Sequence, residues 1–150
     1  MSIACFTENI AFAPPPVVSL AAWLEEVVGE EEKELIQLNF IFCDDTYLHA
    51  LNVEHLQHDT LTDVITFDYA DKADHVEGDI YISVDTVHTN AKERDLPFGH
   101  EISRVIVHGV LHLMGYEDKT QASRAQMRVQ EDRCLALPSA QAVIGWSYKR

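Results

Sequence analysis

Hydrophobic residues along the chain recur with two periods, one typical of strands and one typical of helices. Apolar residues that alternate with polar ones, and that are rich in β-branched and aromatic types, predict strands. The predicted strands span residues 3–13, 36–43, 64–69 and 79–84. Pro14 and the two prolines after it are expected to end the first strand, because proline cannot donate a hydrogen bond within a sheet.

Helical periodicity fills most of the sequence between and after these strands. The first predicted helix runs from a cap at Ser19 to about residue 34, and the second begins at a cap at residue 44 or 45. The third is capped at residue 85 or 86 and runs to about residue 94, and the fourth lies between a break at residues 97–99 and Gly115. The fifth covers about residues 120–135 and should bury Ala125, Met127 and Leu135. The sequence therefore predicts an α+β fold in one domain of residues 1–150. It consists of a small mixed sheet of about four strands with helices on its faces.

The charge of the chain is strongly negative and unevenly distributed. Its net charge is −14, with 25 acidic residues against 11 lysines and arginines. Residues 1–91 hold 18 acids and two lysines, a net of −16, whereas residues 92–150 hold seven acids and nine bases, a net of +2. Phosphate contacts come mainly from lysine and arginine, so the overall charge argues against a nucleic-acid enzyme and by itself favours an ordinary acidic, soluble protein. The second part of the chain is less repulsive to phosphate and softens this objection.

Other features of the sequence point to a cytoplasmic protein. No run of 18 apolar residues could span a membrane, and the N-terminus lacks the basic and apolar regions of a signal peptide. Cys5, Cys43 and Cys134 are odd in number and contain no CxxC pair. They are expected to be small buried residues in a reducing compartment.

The strongest chemical signal lies in residues 104–118. His108 and His112 are four residues apart in an apolar stretch, so a helix would place both imidazoles on one face. Gly115 suits the left-handed residue that ends a helix, and the resulting turn could return Asp118 to the histidines. Two imidazoles and a carboxylate, with a fourth position for water, suit a catalytic zinc ion. The alternative is that the histidines are hydrogen-bonded core residues.

Gly109 occupies an unusual place beside the first histidine. Glycine within a helix costs about 1 kcal/mol relative to alanine, so Gly109 predicts a close approach by backbone or substrate. It also stands where an HExxH metallopeptidase carries its general-base glutamate, which argues against an ordinary zinc peptidase.

Several segments resemble the YbeY family of metal-dependent endoribonucleases. Residues 108–116, HGVLHLMGY, resemble the family signature HG-x-LHL-x-GYDH. Residues 52–67 and 77–83 resemble two upstream family segments in the same order. Met127, Glu131 and Leu135 lie where the last helix of the family has its repeating Met, Glu and Leu. The resemblance covers about residues 35–136.

This resemblance implies a zincin-like arrangement with a histidine-bearing central helix. It also implies a cytoplasmic, single-strand-specific endoribonuclease that needs one Zn²⁺ per chain. Family members act in 3′-end maturation of small-subunit rRNA and in ribosome quality control, so rRNA and the small ribosomal subunit are the implied partners, without DNA or a membrane. The implied ligands are His108, His112 and Asp118. The family usually has histidine at the third position, and Glu117 is the competing acid.

A second departure from the family is Leu56, which stands where the family carries an arginine. Leucine cannot hold phosphate oxygens as a guanidinium does. His55, His58 or Arg104 are the candidates to compensate, and His58 and Arg104 are the predicted substrate-binding residues.

The sequence leaves the catalytic mechanism incomplete. It identifies no general base, while Asp63 or Asp79 is a candidate to orient a ligand imidazole. Two other functions remain open. One is a zinc-dependent peptidase or amidase, and the other is a ribosome-assembly factor with a largely structural zinc.

Overall fold

The computed structural model describes residues 2–56 and 63–146. The strands are β1 (Ile3–Glu8), β2 (Glu34–Cys43), β3 (Val64–Asp68) and β4 (His75–Ser83). The helices are α1 (Val17–Gly29), α2 (Asp45–Leu51), α3 (Val84–Glu93), α4 (Phe98–Leu113), α5 (Gln121–Leu135) and α6 (Gln141–Ile144), with a π-helical turn at Asn52–Leu56 and a 3₁₀ turn at Pro138–Ala140.

The four strands form one mixed sheet in the order β1-β2-β4-β3. β1 and β2 are parallel, as are β2 and β4, whereas β3 runs antiparallel to β4. The predicted α+β class with a small mixed sheet is therefore confirmed. β3 lies at the edge of the sheet, where it contacts α4.

α1 and α4 supply most of the apolar side chains that cover one face of the sheet. Trp23 of α1 and Ile106 of α4 are fully buried in the same cluster as Phe40, Ile80 and Ile82 of the sheet. Burial of each such side chain contributes about 1.5–3 kcal/mol. α4 is thus held by the main core, which fixes the helix that carries the two histidines.

Gly78 allows β3 and α4 to approach β4 closely. A Cβ atom added there would lie 2.3 Å from the carbonyl oxygen of Phe67 and 3.0 Å from Cδ1 of Leu113. We expect Gly78→Ala to lower the free energy of unfolding by about 2–3 kcal/mol, because neither the strand nor the helix can move without losing packing. Urea denaturation measures the change. Gly29→Ala is the control, since an added Cβ there meets nothing within 4 Å, and equal losses in both variants would contradict the prediction.

Several predicted boundaries are wrong. β1 ends at Glu8 and not at residue 13, because Asn9 adopts a left-handed conformation with φ 60° that interrupts the extended chain before the prolines. α1 has Pro16 at its N-cap position, three residues before the predicted cap at Ser19, and it ends at Gly29, five residues before the predicted end at about residue 34. β4 begins at His75, four residues before the predicted start of this strand at residue 79.

Side-chain roles at the helix ends and on α5 also differ in part from the predictions. Asp44 caps α2 as predicted, but Ser83 caps α3 by accepting a hydrogen bond from the backbone N–H of Thr86. Met127 and Leu135 of α5 are buried, whereas Ala125 is exposed. Within the described residues, no helix combines the length and hydropathy needed to cross a membrane.

Candidate metal centre

The end of α4 turns the chain back towards the two histidines. Gly115 has φ +105°, as predicted for the residue that ends this helix. Its backbone N–H donates to the carbonyl of His112, and that of Tyr116 donates to the carbonyl of Leu111. This pair of hydrogen bonds is the Schellman motif, which satisfies the last carbonyls of a helix while reversing the chain. Asp118 follows three residues later and lies beside the histidines.

His108, His112 and Asp118 present three donor atoms to one point. The two Nε2 atoms are 3.0 Å apart, and Oδ2 of Asp118 is 3.3 Å from Nε2 of His108 and 3.4 Å from Nε2 of His112. Among the described residues, these are the three His, Cys, Asp or Glu side chains whose donor atoms all lie within 4.8 Å of one another. Glu117, the competing acid, is exposed and is not part of the group.

The size of this triangle fits a zinc ion. Zinc binds nitrogen and oxygen donors at about 2.0–2.2 Å in tetrahedral geometry, so its ligands are about 3.3 Å apart. The three measured separations lie close to that value. The side chains of His108, His112 and Asp118 are 21%, 26% and 37% exposed, so a fourth ligand position would be open to solvent. The donor set and its spacing therefore suit a catalytic zinc site better than a closed structural one.

A buried carboxylate orients the first histidine. Nδ1 of His108 lies 2.6 Å from Oε2 of Glu131, a residue of α5 that is only 5% exposed. The other oxygen of Glu131 accepts a hydrogen bond of 2.8 Å from Arg104, which also donates to Asp132. Contacts of this kind fix the tautomer and ring orientation of histidines that bind metals.

The charges of these groups support one tautomer. Burial alone would raise the pKa of Glu131, but the hydrogen bonds from His108 and Arg104 lower it. Burial alone would lower the pKa of His108, but the hydrogen bond to Glu131 and the nearby negative charges raise it. Because ionised Glu131 can only accept, a neutral His108 carries its proton on Nδ1. Its Nε2 lone pair then faces the triangle.

The sequence predicted Asp63 or Asp79 for this orienting role, and the structure gives it to Glu131. Asp79 lies in the sheet, where it accepts hydrogen bonds from Asn39 and Tyr69. Asp63 lies nearer and adds negative charge around His108, which contributes to the raised pKa of that residue. The resemblance had placed Glu131 on the last helix but gave it no role.

We expect Glu131→Gln to weaken zinc binding by about 10- to 100-fold, because the carboxylate that orients His108 and increases its basicity is lost. Competition titration with a zinc-selective chelator measures the affinity. Asp132→Asn is the matched control, since Asp132 is the other carboxylate that binds Arg104 and does not contact His108. A loss in Asp132→Asn as large as in Glu131→Gln would show that the effect comes from Arg104 and not from the histidine contact.

Gly109 faces the sheet and not a substrate. A Cβ atom added at Gly109 would lie 2.8 Å from Cγ2 of Ile80 and 3.5 Å from Cγ2 of Thr66. The predicted close approach therefore exists, but side chains of β4 and β3 make it. The glycine lets α4 lie low on the sheet, and this sets the height of the neighbouring His108 above the strands.

A cleft of about 270 Å³ opens beside the candidate metal centre. His108 and Asp118 form part of its wall. Four arginines also line it, one directly after α3, one in α4 and two in α5, together with three further acids: Arg94, Arg104, Arg124, Arg128, Asp63, Glu101 and Glu131. The acidic chain thus places a group of basic side chains next to the donor triangle. This distribution agrees with the surplus of bases predicted after residue 91.

The predicted substrate-binding residues can be placed only in part. His58 lies outside the described residues, as do the side chains of His55 and Leu56. Arg104 lines the cleft, but its guanidinium is 13% exposed and is bound to Glu131 and Asp132. Its contact with substrate stays a prediction.

The mixed sheet supports a helix with two histidines, and the loop after this helix adds a carboxylate. This arrangement suits a metal-dependent hydrolase. Comparison with known proteins narrows this class. Residues 13–137 match the family model described as Endoribonuclease YbeY. The chain therefore belongs to the YbeY family, as the sequence motifs had indicated.

Individual relatives support the same assignment. A protein of Amoebophilus asiaticus named Endoribonuclease YbeY is 46% identical over 84% of this chain and 86% of its own length. Another with that name, from Flavobacterium psychrophilum, is 46% identical over 88% of this chain and 94% of its own length. The solution structure of TM1509 from Thermotoga maritima is similar with a TM-score of 0.62 and 27% identity, covering 95% of this chain and 89% of the other.

Proposed function

We propose that this chain is a zinc-dependent endoribonuclease that hydrolyses phosphodiester bonds of single-stranded RNA. The observation that carries the proposal is the donor triangle of His108, His112 and Asp118 at the wall of a cleft lined by arginines. Membership of the YbeY family and the name shared by the relatives support RNA as the substrate class.

His108, His112 and Asp118 are the proposed ligands of one Zn²⁺ per chain. A zinc ion bound there would supply an acidified water and polarise a phosphoryl oxygen. Glu131 holds His108 with its Nε2 directed at the centre, and Arg104 holds Glu131 in turn. These contacts keep the donors in place before substrate arrives, so little reorganisation is needed during the reaction.

Arg124 and Arg128 on α5 are proposed to contact RNA phosphates. Both line the cleft and both are exposed, and Arg128 has 61% of its side chain exposed. Guanidinium groups bind phosphate oxygens through paired hydrogen bonds, and each phosphate they neutralise releases counterions. The two arginines are four residues apart on one helix, so they follow the same wall of the cleft.

We expect Arg124→Glu/Arg128→Glu to weaken RNA binding by at least about tenfold, because two phosphate contacts become repulsive. Lys33→Glu/Lys72→Glu makes the same change of charge in the acidic part of the chain and should have much less effect. Fluorescence anisotropy with labelled single-stranded RNA measures both. Equal losses would show that overall charge, and not the cleft, determines binding.

The cellular role follows from the family resemblance. We propose that the protein acts in the cytoplasm on rRNA of the small ribosomal subunit, in 3′-end maturation and ribosome quality control. Single-stranded RNA, and not DNA, is the proposed substrate.

One assay tests the proposal against its alternatives. Zinc-loaded protein, metal-stripped protein and metal-stripped protein with zinc restored are each incubated with single-stranded RNA, single-stranded DNA and casein. RNA cleavage that is lost on stripping and regained with zinc supports the proposal. Casein cleavage would identify a peptidase, and RNA binding without cleavage would identify an assembly factor with a structural zinc.

A further inference from the structure

An ion pair between Arg94 and Glu101 forms part of the cleft wall. Arg94 follows α3 directly, and Glu101 lies in the first turn of α4. Nη1 of Arg94 donates to Oε2 of Glu101 at 2.7 Å. Glu101 is 1% exposed, whereas the side chain of Arg94 is 49% exposed, and both residues line the cleft. A buried carboxylate thus holds a guanidinium that remains open to solvent.

Glu101 has a single partner in the described part of the chain. Its second oxygen, Oε1, is also buried and has no hydrogen-bond partner there. A buried ion pair adds little stability compared with apolar residues of the same size, because both charges lose their hydration. The clear consequence of this pair is positional. It fixes the guanidinium of Arg94 at the cleft.

Arg94 differs from the other arginines of the cleft. Arg104 is 13% exposed, and both of its terminal nitrogens are bound to carboxylates. Arg124 and Arg128 are exposed, and among the described residues no buried acid holds either of them as closely as Glu101 holds Arg94. Arg94 therefore combines exposure with a fixed position. A guanidinium has five N–H donors, so the contact with Glu101 leaves several for a ligand.

The place of this pair relative to the metal centre indicates which part of a substrate it would meet. Glu101 is seven residues before His108, so both lie on one face of α4, about 10.5 Å apart along the helix axis. We propose that Arg94, held by Glu101, binds a phosphate next to the scissile one in a single-stranded RNA. The proposal rests on the proposed function, because the scissile phosphate is placed at His108, His112 and Asp118.

A paired exchange tests this inference without changing the net charge. Arg94→Gln/Glu101→Gln replaces the ion pair by two amides and leaves no buried carboxylate unpaired. Arg133→Gln/Glu30→Gln is the matched control, since Arg133 donates to Glu30 and this pair does not line the cleft. Zinc content and thermal unfolding are measured for each variant. The affinity of the zinc-loaded protein for a short labelled RNA is measured immediately after mixing, at several salt concentrations.

We expect the Arg94/Glu101 exchange to weaken RNA binding by about tenfold, which corresponds to one charge-assisted contact. The slope of log affinity against log salt should become shallower by about 0.7, the value for one phosphate of a single strand. The Arg133/Glu30 exchange should change neither. Wild-type affinity and slope in the Arg94/Glu101 variant would overturn the inference while leaving RNA cleavage, and thus the proposed function, intact. Weaker RNA binding by the Arg94/Glu101 variant, with no RNA cleavage by the wild-type protein, would support a phosphate contact at Arg94 and contradict the proposed function.

Two single substitutions separate position from charge. Glu101→Gln makes the cleft more positive by one charge, so long-range attraction alone would tighten RNA binding. If Glu101 positions Arg94, the same change weakens binding. Arg94→Lys keeps the charge and the ion pair but loses the planar fork, and it should bind RNA more weakly than the wild type. Tighter binding in Glu101→Gln would show that Glu101 is not a positioning residue.

Discussion

Alanine in place of His112 is expected to reduce the zinc content from about one ion per chain to nearly none. The substitution leaves His108 and Asp118 as the two remaining donors, and a catalytic zinc site needs three protein ligands. His112 makes its described polar contacts with His108 and Asp118, so its loss removes a ligand without breaking the contact between His108 and Glu131. Elemental analysis of protein dialysed against metal-free buffer measures the result.

His108→Ala should lose zinc equally, since it removes another corner of the triangle. His100→Ala is the matched control, because His100 lies on the same helix but outside the donor group. It should keep the zinc content of the wild type. Full zinc content in His112→Ala, with a thermal unfolding curve like that of the wild type, would show that the metal is bound elsewhere or that two donors suffice.

The central helix could be predicted from sequence because its signals are local. The spacing of His108 and His112 fixes their common face, and Gly115 marks the turn that brings back Asp118. Each of these relations spans ten residues or fewer, and backbone geometry determines them. The structure shows the helix and a left-handed Gly115 as predicted. The four strands also followed from alternation and composition within single segments, although their order and relative directions did not.

The boundaries that failed depend on conformations that composition does not specify. Asn9 ends β1 by adopting φ 60°, a state that asparagine tolerates but does not require. Ser83 caps α3 although Asp85 and Thr86 are equally good capping residues two and three positions later. Ser83 is also completely buried at the end of β4, so the strand decides where the helix begins.

The contact between Glu131 and His108 could not be predicted because it joins two residues of different helices that are 23 positions apart in the chain. A glutamate on an amphipathic helix normally faces solvent. Its burial depends on α5 packing against α4, where Arg104 and His108 offer it two partners. The resemblance placed Glu131 at a position where the family repeats glutamate. That position was the signal in the sequence that pointed to Glu131. Its role in orienting His108 depends on contacts that only the tertiary structure shows.

The net charge of −14 differs from the local charge at the cleft. Charges act over about 8–10 Å at physiological ionic strength, so local groups dominate what a substrate meets. Glu101 and Glu131 on the cleft wall are each paired with an arginine, and the charges of Arg124 and Arg128 offset those of Asp63 and Asp118. The side chains of the cleft are therefore balanced in charge although the chain as a whole is acidic, and a zinc ion at the donor triangle would make the cleft positive. Leu56 stands where the resemblance implies an arginine, so under the proposed function a guanidinium for phosphate would have to come from elsewhere, such as these arginines.

Asparagine in place of Asp118 is expected to lose most of the bound zinc, because the shape of the side chain remains while the negative charge that binds the ion is removed. A neutral amide oxygen is a poor zinc ligand compared with a carboxylate or an imidazole. Asp118→His should retain zinc, since it restores the three-histidine set usual in the family. Zinc affinity from chelator competition, with elemental analysis as a check, measures both variants.

Glu117→Gln supplies the control that decides between the two adjacent acids. Glu117 is exposed, whereas Oδ2 of Asp118 lies 3.3–3.4 Å from both histidine Nε2 atoms, so only the change at residue 118 should alter zinc binding. Both substitutions remove one negative charge from the same loop. A difference between them therefore reports coordination and not long-range attraction of the cation. If Glu117→Gln loses zinc and Asp118→Asn keeps it, the loop after Gly115 binds the ion through the other acid.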